Sequence, residues 1–213
     1  MSTALPPNYD TDRGRCRECR MGYVWEEPRD RQLHRTYHDE WQHGVKMGPL
    51  RRDEIIATDS DTEFLLVSPG SHEAQKRRAA RVASNANRET RFDCGLYDGG
   101  SEDRQMSAHA IIARRDFRGI GLGIIRRRDD LWHYSWEDYD AKREMVHVRG
   151  ERWSIDYLWV RRDVRGTGLG EQLVKHTCNV LATTPEDVAW LAPLTPSAER
   201  LVRRLSPREV WLA

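Results

Sequence analysis

The chain has 213 residues, of which 38% are hydrophobic and 32% are charged, so it has enough apolar material for a packed core and is not disordered throughout. Its length allows one sizeable domain with a small appendage and excludes a long multidomain protein. The formal net charge of +1 excludes the global positive field by which most nucleic-acid-binding proteins hold phosphate, and leaves only a local basic patch open.

The expected compartment is the cytoplasm. No stretch approaches the ~18 consecutive apolar residues of a membrane helix, and the first residues lack the basic and apolar segments of a signal peptide. In such a protein the four cysteines are better explained by metal binding than by disulfides. Cys94 and Cys178 stand alone and are expected to be small, buried apolar residues.

The first predicted elements are a flexible tail over residues 1–13 and a small unit over residues 14–48. Within that unit, a turn with two cysteines precedes a helix that Pro28 starts and Gly44 ends. The rest of the chain, 49–213, is predicted to contain strands and helices in this order: a hairpin (53–58 and 63–68), a helix (71–90), an irregular connection (93–106), two strands (108–113 and 120–125) joined by a turn (114–119), an undecided aromatic stretch (131–143), a strand (153–160), a helix (168–182), a strand (188–192), a helix (196–205) and a strand (209–213).

Four potential metal ligands occur in the small unit, in the order Cys16-x2-Cys19-x14-His34-x3-His38. His34 and His38 lie one helical turn apart and point the same way, while the cysteine pair can wrap an ion. Two thiolates and two imidazoles suit tetrahedral Zn²⁺, and four protein ligands leave no position for a substrate, so we expect a structural zinc finger. Eight basic and eight acidic residues balance in the first 50, which disfavours nucleic-acid binding and favours a docking or folding role.

A glycine-rich loop, Arg165-Gly-Thr-Gly-Leu-Gly170, lies between the strand ending at Val160 and the next helix. Backbone N–H groups and the helix dipole converge at such a junction and favour an anion. The spacing does not fit a dinucleotide-binding fingerprint, because position 171 is Glu, and it does not fit a P-loop. It matches R-x-x-G-x-G and so resembles the pyrophosphate loop of the GCN5-related N-acetyltransferases (GNAT).

The same pattern occurs earlier, as Arg118-Gly-Ile-Gly-Leu-Gly123. No helical stripe follows Gly123, whereas an apolar stripe continues for three turns after Gly170. We therefore expect the earlier copy to be a glycine-containing strand of a hairpin, and only the later copy to hold a phosphate group.

The finger and the loop together resemble the Eco1/ESCO family of cohesin acetyltransferases, which couple a zinc finger of this kind to an acetyltransferase domain. The resemblance implies an α+β fold over residues 49–213, the GNAT acyltransferase fold with a mixed sheet flanked by helices, behind an N-terminal C2H2-type zinc finger. The compact length and the excess of arginine over lysine indicate a prokaryotic or viral relative. The matching residues are Cys16-x2-Cys19-x-Met21-x-Tyr23, His34-x2-Tyr37-His38, Gly44, Leu65-Leu-Val-Ser-Pro-Gly70, Ile155-x2-Leu158-Trp-Val160, the glycine loop, and Ala189-Trp with Pro193 beyond it.

The resemblance also implies acetyl-CoA as co-substrate beside structural Zn²⁺. Three residues of the strand would offer backbone groups to the pantetheine arm and the acetyl carbonyl: Leu158, Trp159 and Val160. The glycine loop would hold the pyrophosphate through Arg165, Gly166, Thr167, Gly168, Leu169 and Gly170. The acceptor side departs from the family, since Asp156 stands where the family has Ser, Ala192 where it has Asp, and one residue is inserted after Pro193. The family's acceptor, a lysine of a cohesin subunit, is therefore not carried over.

These features predict an N-acetyltransferase that moves acetyl from acetyl-CoA to an amine of a protein, such as a lysine, or of a small molecule. A free lysine has a pKa of ~10.4 and must lose a proton before it attacks. Asp156 is the candidate base because it lies on the strand next to the thioester, and an ion pair with an arginine is the alternative. Strand alternation predicts that Ser154, Asp156 and Leu158 share one face, opposite Ile155, Tyr157 and Trp159.

Two other function classes remain open. A catalytically inactive protein of this fold, acting as a nucleic-acid-binding or protein-binding module, would keep the loop and lose the base. Ala192, which stands where the family has Asp, is in line with such a loss. An inert CoA sensor would bind CoA and acetyl-CoA equally. Turnover with mixed amine acceptors separates the enzyme from both. Four aromatic residues are expected to pack in the core rather than to line an acceptor groove: Trp132, Tyr134, Trp136 and Tyr139.

Overall fold

The structure, a computed structural model, describes residues 8–11, 14–96, 106–143 and 146–213. The finger consists of β1 (Tyr9–Asp10), β2 (Arg15–Cys16) and α1 (Pro28–His43), with β1 and β2 antiparallel. Strand β1 begins before residue 14, so the finger starts earlier than we expected, inside the predicted tail. Residues 1–7 and 12–13 of that tail lie outside the described residues.

The predicted helix of the finger is confirmed. Pro28 stands in its first turn, where the N–H that proline lacks would have no partner within the helix. Gly44 ends the helix with a φ of 82°, a conformation that favours glycine. A Cβ at Gly44 would also clash with the carbonyl oxygen of Gly119. Both the backbone conformation and the close approach of Gly119 therefore require glycine at this position, where the finger meets the rest of the chain.

Eight strands of the described residues form one mixed sheet with helices on both faces. The strand order is β10-β9-β8-β7-β6-β5-β4, with β3 paired to the start of β7 and β10 also paired to its end. The elements are β3 (Val45–Lys46), β4 (Glu54–Asp59), β5 (Thr62–Val67), α2 (Glu73–Thr90), β6 (His109–Arg115), β7 (Arg118–Ser135), α3 (Trp136–Asp140), β8 (Val146–Val160), α4 (Leu169–Val180), β9 (Ala189–Trp190), α5 (Pro196–Leu205) and β10 (Glu209–Leu212).

These bounds confirm most predicted elements and correct two. The expected turn over 114–119 is a tight turn of only Asp116 and Phe117, both with positive φ, because Arg114 and Arg115 continue β6. The undecided aromatic stretch continues β7 to Ser135 and then forms the short helix α3. Most of the irregular connection predicted over 93–106 lies outside the described residues.

The core lies on both faces of the sheet, because strands β5 and β6 alternate their apolar side chains. One face packs on α2 and the other on α4, while α5 covers the sheet near β9 and β10. In the described part of the chain, no helix combines the length and apolar character needed to cross a bilayer. The α2 face includes Leu65, Val67, Ile112, Leu122 and Ile124, and the α4 face includes Phe64, Leu66, Ile111, Ile120 and Ile125.

Candidate functional site

The four predicted metal ligands come together in the finger. One ligand atom from each of Cys16, Cys19, His34 and His38 lies within 4.8 Å of the other three. Both thiols are buried, Cys16 at the end of β2 and Cys19 in the turn after it, and the two imidazoles project from the same face of α1. The structure therefore assembles the C2H2 set that the spacing predicts.

The surroundings of these side chains fit a bound zinc ion. His34 Nε2 is buried and has no hydrogen-bond partner among the described residues, so its lone pair is free for a metal. His38 presents Nδ1 to Cys16 Sγ at 3.5 Å, and its Nε2 lies 3.1 Å from Glu18 Oε2, which orients the ring. Burial raises the pKa of the Cys19 thiol to about 12, so a thiolate there needs a cation beside it. This donor set suits structural Zn²⁺.

The later glycine loop has the geometry of an anion site. A short 3-10 turn at Arg162–Val164 follows β8, and Gly168 then caps the start of α4. Gly166 and Gly168 have φ of 80° and 90°, where a side chain strains the backbone, and a Cβ on either would meet no atom within 4 Å. Open space therefore lies over the N-terminus of α4, where backbone N–H groups and the helix dipole attract negative charge.

The earlier copy of the motif is a strand, as predicted. It runs through the first residues of β7, between β6 and β8. A Cβ at Gly121 would lie 2.9 Å from Leu173 Cδ1 and 3.2 Å from Ala113 Cβ. Glycine is needed there so that α4 can pack closely on the sheet, and the copy has no space for a ligand.

One edge of β8 is open next to the glycine loop. Strand β9 pairs only with Ser154 and Ile155, and in the described structure no strand pairs with that edge from there to Val160. On the opposite edge Arg161 N donates to Ile120 O at 2.9 Å. Because antiparallel pairs alternate, the backbone groups of Leu158 and Val160 point to the open edge.

The same alternation corrects the expectation for Trp159. Its backbone groups point to β7, so they are not available to a ligand on the open edge. The Trp159 side chain packs on the α2 face instead, where its indole Nε1 donates to Glu89 Oε2 at 2.8 Å. Of the three strand residues implied by the resemblance, Leu158 and Val160 present backbone groups to the open edge.

A β-bulge at Asp156 corrects the predicted alternation of β8. Tyr157 pairs with Ile124 and Ile155 with Ile125, so Asp156 is an extra residue without a partner on β7. The bulge places Ile155 in the same apolar cluster as Leu158, although the sequence pattern put them on opposite faces. An alternation rule cannot anticipate an inserted residue.

The Asp156 carboxylate is held by arginine. Arg128 Nη2 lies 2.6 Å from its Oδ2, and Arg126 Nε lies 3.6 Å from the same atom. The Asp156 side chain is only 4% exposed, so this pair is largely removed from water. The structure thus contains the ion pair that we gave as the alternative to a free base, and the base role of Asp156 stays a prediction.

Glu89, near the end of α2, is a site residue that the sequence analysis missed. Its half-buried carboxylate accepts from Trp159 and lies 2.5 Å from Arg165 Nη2. Arg165 Nε also donates to Val160 O at 2.8 Å, so Glu89 holds the loop arginine against the open edge of β8. Nothing in the sequence pairs Glu89 with Arg165, because they are far apart in a chain with many arginines.

The remaining predicted side chains have structural roles. The four aromatic residues pack against the cluster beneath α5, which confirms ordinary packing. Cys94 and Cys178 are buried, and burial raises the pKa of the Cys178 thiol to about 12, so that it stays protonated. Burial likewise raises the pKa of Tyr157 to about 12, and its hydroxyl lies 2.7 Å from Thr90 Oγ1.

Two segments of the chain match models of known protein families. Residues 8–40 match the zinc-finger of acetyl-transferase ESCO, and residues 81–199 match the Acetyltransferase (GNAT) family. Among curated proteins, none matches the chain significantly.

Solved structures show the same fold. The structure of the xEco2 acetyltransferase domain bound to a K105-CoA conjugate has a TM-score of 0.61 and 14% identity, and the match covers 76% of this chain and 98% of that one. A second structure of the xEco2 acetyltransferase domain has a TM-score of 0.59 and 13% identity, and the match covers 78% of this chain and 98% of that one. At such identities the likeness concerns the fold.

Proposed function

Because the chain belongs to the GNAT family of acetyltransferases and carries an ESCO-type zinc finger, we propose that acetyl-CoA binds along the later glycine loop and the open edge of β8. The observation that supports this placement is that the glycine loop and the open edge of β8 lie next to each other. The loop follows β8 after one 3-10 turn and leads into α4, so the anion site continues the row of unpaired backbone groups along β8.

The loop would hold the pyrophosphate with its backbone. Gly166, Thr167 and Gly168 lead into α4, and the absence of a Cβ at the two glycines leaves room for phosphate oxygens. The Arg165 guanidinium adds positive charge beside them while it bonds to Glu89 and Val160 O. Leu169 and Gly170 form the first turn of α4, whose dipole favours the same anion.

The pantetheine arm would lie beside Leu158 and Val160 as an added strand. Their N–H and C=O groups face the open edge, where amide groups of the arm can pair with them. Arg165 Nε already bonds to Val160 O on this edge, so part of the arm would compete with that contact. This placement brings the thioester to the part of β8 where β9 leaves it.

Acetyl transfer needs a neutral amine and a stabilised oxyanion. The amine nitrogen attacks the thioester carbonyl, and the N–H of Leu158, the open-edge residue nearer to the end of β9, is the candidate donor to the tetrahedral oxyanion. The C–S bond then breaks and CoA leaves as its thiolate, which takes up a proton from the solvent. We propose Asp156 as the group that accepts the proton of the amine, since it stands one residue beyond the last β9-paired position of β8.

The acceptor is proposed at the level of an amine only. Ala192 provides no titratable side chain beside this edge, so Asp156 would act without a second carboxylate at that position. The finger, held together by zinc on Cys16, Cys19, His34 and His38, is proposed to have a folding and docking role.

The decisive experiment identifies the acetylated product. We expect that incubation with labelled acetyl-CoA and a mixture of primary amines, followed by mass spectrometry, gives label on amine nitrogen. Label found in a host lysate then tells whether the acceptor is a protein or a metabolite. Equal binding of CoA and acetyl-CoA without transfer to any amine would contradict the proposed chemistry.

A further inference from the structure

One residue contacts both the finger and the start of the glycine loop. Arg161 follows the last residue of β8, and its Nη1 donates to the carbonyl oxygen of His43 at the end of α1. Its Nε and Nη2 lie 2.5 and 2.6 Å from the two carboxylate oxygens of Asp163. Asp163 belongs to the 3-10 turn that leads into the glycine loop, so a single guanidinium joins the finger helix to that loop.

The position of this guanidinium is fixed on both sides. The Arg161 backbone N–H donates to Ile120 O, which ties the residue to β7. The Arg161 side chain is 14% exposed and that of Asp163 is 56% exposed, so the guanidinium is largely packed against protein while its carboxylate partner faces water. The helix dipole also favours a cation at the C-terminal carbonyls of a helix. The Arg161 guanidinium is therefore stabilised by the negative end of the α1 dipole.

The metal ligands lie within reach of this contact through α1. His38 is a predicted ligand, and His43 follows it by little more than one helical turn. In small C2H2 units the metal supplies much of the folding free energy, so metal loss releases the helix that carries the ligands. Release of the end of α1 would remove the His43 carbonyl from Arg161.

Two other ion pairs that hold α1 against the rest of the chain do not reach the loop. Arg118 on β7 pairs with both carboxylate oxygens of Asp39, at 2.7 and 3.1 Å, and donates to Gly44 O at 2.9 Å. Arg81 on α2 pairs with Glu40. These contacts dock α1, whereas Arg161 also holds Asp163, in the 3-10 turn that leads into the loop.

We propose that Arg161 is a positioning residue that couples metal occupancy of the finger to the affinity of the glycine loop for acetyl-CoA. This inference rests on the proposed placement of acetyl-CoA at that loop. With the finger folded, the His43 carbonyl and Asp163 together hold Arg161, so the turn before Gly166 is already ordered. Without that anchor, acetyl-CoA must order the turn when it binds, and its affinity falls.

The first test uses the reciprocity of coupled binding. We expect zinc affinity, measured by competition with a chromophoric chelator, to rise about ten-fold when acetyl-CoA is saturating, and acetyl-CoA affinity to fall by the same factor on zinc removal. The Arg161→Ala variant should bind zinc, bind acetyl-CoA about ten-fold more weakly, and show less than about two-fold coupling between the two. A residue that merely stabilised the fold would not abolish this coupling.

Arg118→Ala is the matched control. It also removes a guanidinium that holds a carboxylate and a carbonyl at the end of α1, but it leaves Arg161 and Asp163 in place. We expect it to keep the coupling of about ten-fold, even if it lowers the melting temperature. If the zinc-free protein does not fold, the acetyl-CoA affinities of zinc-loaded Arg161→Ala and Arg118→Ala are compared by calorimetry instead. Equal affinities of the two variants would overturn the proposal.

The outcomes separate this inference from the proposed function. If Gly168→Glu abolishes acetyl-CoA binding while Arg161→Ala and zinc removal leave it unchanged, the loop is the binding site and the coupling is wrong. If Gly168→Glu leaves acetyl-CoA binding unchanged, the loop is not the binding site and the coupling falls with it.

Discussion

Gly168 and Gly121 occupy the same place in two copies of one motif, yet their surroundings differ. Gly168 has a φ of 90° and no atom within 4 Å of its missing Cβ, whereas Gly121 is pressed against Leu173 and Ala113. A substitution at Gly121 therefore tests core packing, and a substitution at Gly168 tests the ligand site. The sequence motif alone does not show whether a glycine is needed for core packing or for the ligand site.

We expect Gly168→Glu to reduce acetyl-CoA affinity by at least about 100-fold, because it strains a positive φ and brings a negative charge to the anion site. Gly150→Glu is the matched control, since Gly150 also has a positive φ, lies in open space and is exposed in β8. Calorimetric titration with acetyl-CoA measures both. An equal loss in the two variants would mean that backbone strain, and not the site, lowers affinity.

We expect Asp156→Asn to lower kcat about 100-fold at neutral pH while acetyl-CoA affinity is unchanged, because the amide keeps the shape and cannot accept the proton. Arg128→Gln is the control, since it breaks the same ion pair and leaves the carboxylate in place. We expect that variant to lose stability and to keep its turnover. Near-normal turnover of Asp156→Asn from pH 6 to 9 would leave Asp156 with a structural role only.

At the scale of elements, the finger and the sheet are continuous. After α1 the chain turns at Gly44 and enters the sheet as β3, paired with Gly119 and Arg118 of β7. The finger is therefore built onto the strand that also carries the earlier glycine motif. The metal content of the finger should therefore affect the stability of the start of β7, to which β3 is paired.

We expect the purified protein to contain about one zinc per chain, and the double variant Cys16→Ser, Cys19→Ser to contain none. Cys178→Ala is the control, because that thiol is buried like the finger thiols but lies on the inner face of α4, away from the finger. Elemental analysis of protein purified without added metal measures all three. Zinc retained by the double variant would contradict the assigned ligands.

At the scale of the whole molecule, a buried ion-pair network joins three elements. Asp53 precedes β4 and pairs with Arg78 of α2 and, at 2.9 Å, with Arg114 of β6. Burial alone would raise the pKa of the Asp53 carboxyl, but hydrogen bonds from the Leu50 N–H, Arg78 and Arg114 outweigh it and hold the pKa below its usual range. The network thus stabilises the fold while Asp53 is ionised.

We expect Asp53→Asn to lower the free energy of unfolding by about 3 kcal/mol at pH 7, because it leaves buried arginine charge uncompensated. A depressed pKa contributes stability above the unfolded value, and this contribution is lost as pH falls through the folded value. The wild type should therefore lose stability below pH ~4, and the variant should lose less over that range.

Urea unfolding at several pH values measures both effects. Asp61→Asn is the control, because its ion pair with Arg115 is exposed and should contribute less than about 1 kcal/mol. Equal losses in the two variants would show that the buried network has no special role.

The sequence by itself determined the features that depend on neighbouring residues. The metal ligands, the two helix ends at Pro28 and Gly44 and the distinction between the two glycine motifs follow from spacing, capping and the periodicity of apolar residues. Each of these patterns lies within one short stretch of the chain, so its recognition needs no knowledge of which distant residues meet. The family resemblance joined them into one fold.

Only the tertiary structure decided which distant side chains meet. The bulge at Asp156 depends on the register between two strands, and the contacts of Glu89 with Arg165 and of Arg161 with His43 join residues far apart in the chain. With 31 arginines and 34 acidic residues, the sequence permits very many ion pairs. Packing selects among them, because a charge removed from water needs a partner at short range.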